Sequence, residues 1–270
     1  MRLVRSNLRR LVRRPATLVT YLLLIGLVLL IYLAIVVAAQ QAVDPESALA
    51  SRLILTFPDA WFLTLTMVVG IGGLLAVTYG AAIAGSEWAW GTLKASVARG
   101  ERRAWYALMG IAGAIIMAWA GTMLAYAVGI GAALVGSNVV KASSNTLIDA
   151  ANAGQLAVLL GRAGLAIAMD VAIGFTIATI ARSQLAGIGA GIGLYLGEGI
   201  IGVFVPGIIR WAPFAAVSAM MAGAEGELGA AAATSTGRLD PATATLVTAV
   251  WLVVACAIAT LWTERAEISG

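Results

Sequence analysis

Long apolar runs alternate with short polar breaks along this chain, and no run shows the every-other-residue polarity of a half-buried strand. The runs cover roughly 18–39, 60–84, 104–136, 154–181, 185–205 and 242–262. Gln40-Gln41, Asp44-Pro45-Glu46, Arg99 to Arg103, Arg182-Ser183-Gln184 and Asp240-Pro241 mark breaks between them. Each run is long enough for a helix to cross a hydrocarbon layer about 30 Å thick, at about 1.5 Å per residue. Lipid offers no partner to backbone N–H and C=O groups, so a crossing segment closes its hydrogen bonds within itself as a helix. A barrel would show alternating polarity over strands of about ten residues. The pattern therefore predicts an all-α fold, a polytopic membrane protein of about six transmembrane helices in a single transmembrane domain, 1–270. All six prolines (Pro15, Pro45, Pro58, Pro206, Pro213 and Pro241) lie outside the span centres, where a missing N–H breaks no helical ladder.

The segments between the spans carry their own patterns. Over 1–17, Leu3, Val4, Leu8, Leu11 and Val12 recur at helical spacing, with arginines on the other face and Pro15 as the stop. This predicts an N-terminal interfacial helix. It serves either as a basic cluster that fixes topology or as a surface for a cytoplasmic partner, offering Arg9, Arg10 and Arg13. The loop over 86–100 predicts a short amphipathic helix across the membrane face. It presents Trp88, Trp90 and Leu93 beside Glu87 and Lys94. Exposed aromatics rimmed by charge suit protein contact, while tryptophans also anchor to the lipid interface. Within 206–241, the apolar piece from Phe214 to Met221 is too short to span and predicts an outer re-entrant helix. The Ala/Gly-rich run from Ala222 to Gly237 predicts a mobile segment.

Charge sets the orientation. With the N-terminus in the cytoplasm, 12 of the 17 basic residues fall on the cytoplasmic side, against Arg52, Lys141, Arg210 and Arg238 outside and Arg162 within a span. That imbalance is a strong positive-inside signal, and it places both termini in the cytoplasm. It also accounts for the sequence pI near 9.6 by topology and anionic-lipid contact, leaving no call for nucleic acid. The composition agrees, at 61% apolar and 11% charged with a mean hydropathy of +0.96, where soluble domains carry about 25% charged residues. The first apolar run exceeds a signal-peptide core and lacks a small-x-small site after it, so it is expected to stay as a span.

The same composition removes several chemistries. There is no histidine and one cysteine, Cys256. His-based hydrolysis, haem ligation, most transition-metal sites and an internal disulfide are therefore excluded. Neither of the two lysines follows glycine in a phosphate-loop pattern, so the chain holds no ATP-binding loop, no metal site and no cofactor of its own. Gly197-Glu198-Gly199-Ile200-Ile201-Gly202 formally matches a dinucleotide fingerprint. It lies inside an apolar span with no preceding strand, and is a chance match.

Glu87, then Gly91-Thr92-Leu93, then Ala98-Arg99-Gly100 and Arg102-Arg103 resemble the first cytoplasmic loop of ABC-2 type transporter permeases. Two further patches are similar to those permeases: Arg13-Arg14-Pro15-Ala16-Thr17 at the first span, and Trp211-Ala212-Pro213-Phe214 before the last. The resemblance covers the six-span layout, with residue-level matching confined to these three patches. It implies a permease subunit of a bacterial plasma (inner) membrane exporter that pairs with a second permease subunit, the same chain. Two copies of a cytoplasmic ABC ATPase subunit would then hold ATP and Mg beneath the pair. It further implies that Glu87, Trp88, Trp90, Gly91, Thr92 and Leu93 sit in a groove of the ATPase, flanked by the N-terminal helix. The segment 206–241 would cap the exit of the pathway.

Three ionisable residues fall within spans: Arg162, Asp170 and Glu198. Each costs about 2.5–3.5 kcal/mol at a helix centre, so each is expected to face protein or water. Asp170 and Glu198 lie equally far from the turn at Gln184 and are expected to share a level, with Arg162 two turns further out and able to reach Glu198. The reading adopted is a structural lock between the fourth and fifth spans; a cation or proton site is the alternative. Glycines at four-residue spacing in the fifth span, including Gly187 with Gly191 and Gly189 with Gly193, predict close helix approach. Two other functions stand beside the permease: an intramembrane enzyme using Asp170 and Glu198, and a non-transporting membrane anchor or assembly factor.

Overall fold

The computed structural model describes residues 10–41, 52, 54–92, 100, 102–141, 150–222 and 238–266, with no strand among them. In chain order the helices are α1 (Pro15–Gln41), α2 (Asp59–Ala89), α3 (Arg103–Val139), α4 (Ala150–Ala181), α5 (Gln184–Phe204), α6 (Pro206–Ile209), α7 (Pro213–Met221) and α8 (Pro241–Arg265). Among the described residues, α1 to α5 and α8 are the six helices long and apolar enough to cross a bilayer. The chain is an all-α, multi-pass membrane protein. Alternation of the spans brings Arg14, Arg102, Arg103, Arg182 and Arg265 to one end of the bundle, here called the basic face. Asp59, Lys141, Arg210 and Asp240 lie at the other.

Burial orders the spans. The most apolar stretches of α2 and α4 are 56% and 61% buried, against 22%, 17% and 22% for α1, α5 and α8. The first two form the centre and the last three lie at the periphery of the bundle. The centre depends on missing side chains. A Cβ on Gly80 of α2 would overlap the carbonyl of Val171, and a Cβ on Gly174 of α4 would overlap the carbonyl of Val77. The two backbones therefore touch directly, which side chains at these positions would prevent. In the same way Gly187 of α5 abuts Ala178 of α4, and Gly191 abuts Val77. Gly189 and Gly193, by contrast, meet nothing within 4 Å, so the glycines of α5 divide between an inward and an outward face.

Several polar side chains inside the bundle tie one helix to another. Tyr32 of α1 meets Thr64 of α2 at 2.5 Å, Tyr21 donates to the Met117 carbonyl of α3 at 2.5 Å, and Thr176 of α4 donates to the Ala255 carbonyl of α8 at 2.9 Å.

Two expected boundaries change. α2 runs on through Ser86, Glu87 and Trp88 to Ala89, so these residues are the last turn of a span and not the start of a separate helix across the face. No breaker interrupts them, and their polar groups find partners without leaving the helix. Termination comes at Trp90, followed by Gly91 at φ 64°, the left-handed turn that glycine adopts without steric cost. At the other boundary, Pro15 is the first residue of α1, so 15–17 belong to the first span; of the expected N-terminal helix, residues 10–12 are described and helical. Arg9, Leu93, Lys94 and the Ala/Gly-rich run after Ala222 lie outside the described residues.

Replacing Gly80 or Gly174 by Ala is expected to cost at least about 1–3 kcal/mol, the usual range for overpacking, because the obstacle is backbone. Gly26→Ala, at a site with open space around it, is expected to leave stability unchanged. Thermal unfolding of the purified variants in detergent distinguishes these outcomes.

Candidate functional site

An acid on a basic face needs cations around it, and Glu87 has gathered them. The residue is 7% exposed, and its side chain links three parts of the chain. Arg14 Nη2, from the stretch before α1, lies 2.6 Å from Glu87 Oε1, and Arg10 Nη2 lies 2.9 Å from the same oxygen. Thr92, just past α2, and Tyr106, in the first turn of α3, both donate to Oε2. Arg14 is itself 7% exposed and donates a second hydrogen bond to Ser86 Oγ at 2.8 Å. Its guanidinium lies 5.3 Å from the centroid of the Trp90 ring, a cation–π contact. Thr17 extends the cluster upward, donating to the Leu11 carbonyl at 2.7 Å and pairing with the hydroxyl of Tyr79 at 3.0 Å. Glu87 is thus a tie within the chain. Of the residues expected to meet a partner, Trp90 is the prominent one, 65% exposed. Trp88 and Gly91 are half-buried, as is Thr92. Arg10 joins the tie and Arg13 is exposed.

Charges deeper in the bundle converge on α7 instead of on one another. Ala212, before α7, offers no side-chain cap. Glu198 supplies one from α5: its Oε2 accepts the backbone N–H groups of Phe214 at 2.9 Å and Ala215 at 3.1 Å. At the other end of α7, Arg162 Nη1 donates to the Met220 carbonyl at 3.4 Å. A carboxylate at the N-terminus and a guanidinium at the C-terminus match the helix dipole at both ends. The expected reach of Arg162 toward Glu198 is therefore replaced. The open N–H and C=O groups of a short helix compete for both charges and win, because in a dry interior their own satisfaction is at stake. Tyr195 packs on Phe214 with ring centroids 4.7 Å apart, and Trp251 Nε1 of α8 donates to the Trp211 carbonyl at 2.9 Å.

Asp170 stays apart. It is 1% exposed, and its Oδ1 has no hydrogen-bond partner among the described residues. A Cβ on Gly73 of α2 would sit 2.7 Å from its Oδ2 and 3.2 Å from the Tyr195 hydroxyl. Glycine at 73 thus makes room for a carboxyl between α2 and α4. Above this layer lies a cleft of about 480 Å³, walled by α5, α6 and α7 and lined by Glu198 with Arg210 and Arg238. Its volume is within the range of about 300–1,000 Å³ in which small-molecule sites fall.

Sequence reasoning named Glu87 and Arg10 but missed Arg14, Ser86 and Tyr106. The available signal was charge balance: Glu87 is an acid at the end of α2, beside an arginine-rich segment that folds to the same face. No protein-family model and no curated protein matches the chain.

Removing Glu87 leaves Arg14 buried without its counter-charge. Glu87→Ala is therefore expected to destabilise by about 3–5 kcal/mol, as for other broken buried pairs, and Glu87→Gln by less, since an amide oxygen still accepts from Tyr106 and Thr92. Glu198→Leu is expected to lose about 1 kcal/mol, the usual worth of a helix cap, and Glu198→Gln to keep most of it. Melting curves in detergent test both series; a wild-type melting temperature for Glu87→Ala would refute the tie.

Proposed function

We propose that the chain is the transmembrane permease subunit of an ABC-2 type exporter. It would work as a pair in a bacterial plasma membrane, with both termini cytoplasmic and two separate ATPase subunits at the basic face. The observation that carries this reading is the Glu87 tie beside the exposed Trp90. A partner pressing on Trp90 would press on Arg14, which stacks on that ring and is paired to Glu87. Through Glu87 the load reaches the N-terminal stretch, the end of α2 and, by Tyr106, the start of α3. One contact point would thus engage three elements, as the docking of a motor subunit requires.

The rest of the bundle suits the role. α2 continues from the tie to its backbone contact with α4, and α4 carries Arg162 to one end of α7. α7 borders the cleft at the opposite face, where Glu198, Arg210 and Arg238 would meet a departing substrate. ATP and Mg would be held by the partner subunits. This chain's share is to receive a mechanical displacement at Trp90 and to widen the path near α7.

Trp90→Asp is expected to abolish copurification of an ATPase, or to cut substrate-stimulated ATP hydrolysis at least tenfold by the loss of a central aromatic anchor, without changing expression or elution volume. Unchanged copurification and turnover would refute the docking role. Orientation has its own test. In a Cys256→Ser background, Arg102→Cys is expected to label only after permeabilisation, and Arg238→Cys to label in intact cells. The reverse pattern would overturn the assignment of the basic face to the cytoplasm.

A further inference from the structure

A second concavity, of about 330 Å³, opens at the basic face and is lined by Arg182, Ile258, Leu261, Trp262, Arg265 and Ala266. Ile258, Leu261, Trp262 and Arg265 recur at helical spacing on α8, so they form one stripe: apolar through its length and cationic at its end. Ile258, Leu261 and Trp262 are all exposed, on a peripheral helix long and apolar enough to cross a bilayer. Across the groove, Arg182 follows the last residue of α4 at φ 51°. That left-handed turn reverses the chain into Ser183, which caps α5 by accepting the Ala186 N–H.

Both guanidiniums are available to an anion. Arg182 lies 5.2 Å over the centroid of the Trp88 ring, a cation–π contact, and both Arg182 and Arg265 are exposed. Arg265 is not needed at the carbonyl end of its own helix. Arg103 serves there, donating to the carbonyls of Ala266 at 2.8 Å and Glu264 at 3.4 Å. The helix C-termini at this face oppose an anion by about half a charge each. The α8 end is served by Arg103 and the α4 end abuts the start of α5, so the two full positive charges prevail.

We propose that this groove binds one anionic phospholipid. Its phosphate would sit between Arg182 and Arg265, where bidentate N–H donors match phosphate oxygens, and an acyl chain would lie along Trp262, Leu261 and Ile258. A phosphate at the membrane edge with a hydrocarbon tail running inward matches both ends of the stripe; a soluble anion matches only one. The proposal depends neither on the exporter reading nor on which side of the membrane the basic face occupies.

The test uses the purified full chain, delipidated in detergent and titrated with phosphatidylglycerol, phosphatidylcholine or inorganic phosphate, with retained lipid counted by native mass spectrometry. Phosphatidylglycerol is expected to bind more tightly than phosphatidylcholine. Each basic residue near a membrane surface is worth about fivefold in affinity for anionic lipid. Arg265→Gln, at an exposed helix end, is therefore expected to weaken phosphatidylglycerol about fivefold, and Arg182→Gln with Arg265→Gln roughly 25-fold, if the two act independently. The Arg182→Lys, Arg265→Lys pair is expected to retain most of the affinity. If Arg265→Gln elutes as wild type and binds phosphatidylglycerol equally well, the proposal fails. It fails too if inorganic phosphate competes with the lipid at equal concentration, which would make the groove an anion site indifferent to the chain.

Discussion

The contact between α2 and α4 at Gly80 and Gly174 governs how the other helices are arranged. Water drives no association between helices already in lipid, so affinity there must come from close packing and from polar groups that find each other. Two backbones without intervening side chains give the first. They also bring α2 and α4 close enough to enclose Asp170 beside Gly73. α5 then lies against the same pair through Gly187 and Gly191, while α1 is fastened by Tyr21 and Tyr32 to α3 and α2. The peripheral helices are in this sense attachments to a two-helix centre.

The charges follow a second rule. Inside the described bundle they work mainly on open backbone and on distant segments: Glu198 and Arg162 at the two ends of α7, Arg103 at the end of α8, Glu87 across three separate stretches. A helix end in hydrocarbon is a larger liability than a helix end in water. Full charges are an economical answer, because one side chain can satisfy two N–H groups at once, as Glu198 does.

That rule separates what could be read from the amino-acid sequence from what could not. The six spans were legible because hydrocarbon thickness translates directly into apolar run length, and the helix starts at Pro15, Asp59, Arg103, Gln184 and Pro241 follow polar breaks visible in the chain. The end of α2 was not legible. Ser86 and Glu87 look like loop residues until Arg14 is folded onto both and Arg10 onto Glu87, each more than 70 positions away. The same blindness affected the polar centre. Arg162 and Glu198 have opposite charges at compatible depth, which suggests a pair. Their actual partners are main-chain atoms of α7, and main-chain atoms leave no mark in a hydropathy pattern. The glycines of α5 were partly legible: their spacing announces close approach, but only the packed structure shows that Gly187 and Gly191 face inward and Gly189 and Gly193 do not.

The clamp on α7 also imposes an order on biosynthesis. A chain emerges from the ribosome N-terminus first, so Arg162 enters the membrane 58 residues before the Met220 carbonyl exists to receive it. Glu198 precedes the N–H groups of Phe214 and Ala215 by 16 and 17 residues. During that interval α4 and α5 carry ionisable groups whose eventual partners have not been made. Until α7 is made, an ionised side chain in that hairpin is better accommodated by water or protein than by lipid. Truncation between Glu198 and Phe214 would thus remove the α7 partners of both charges.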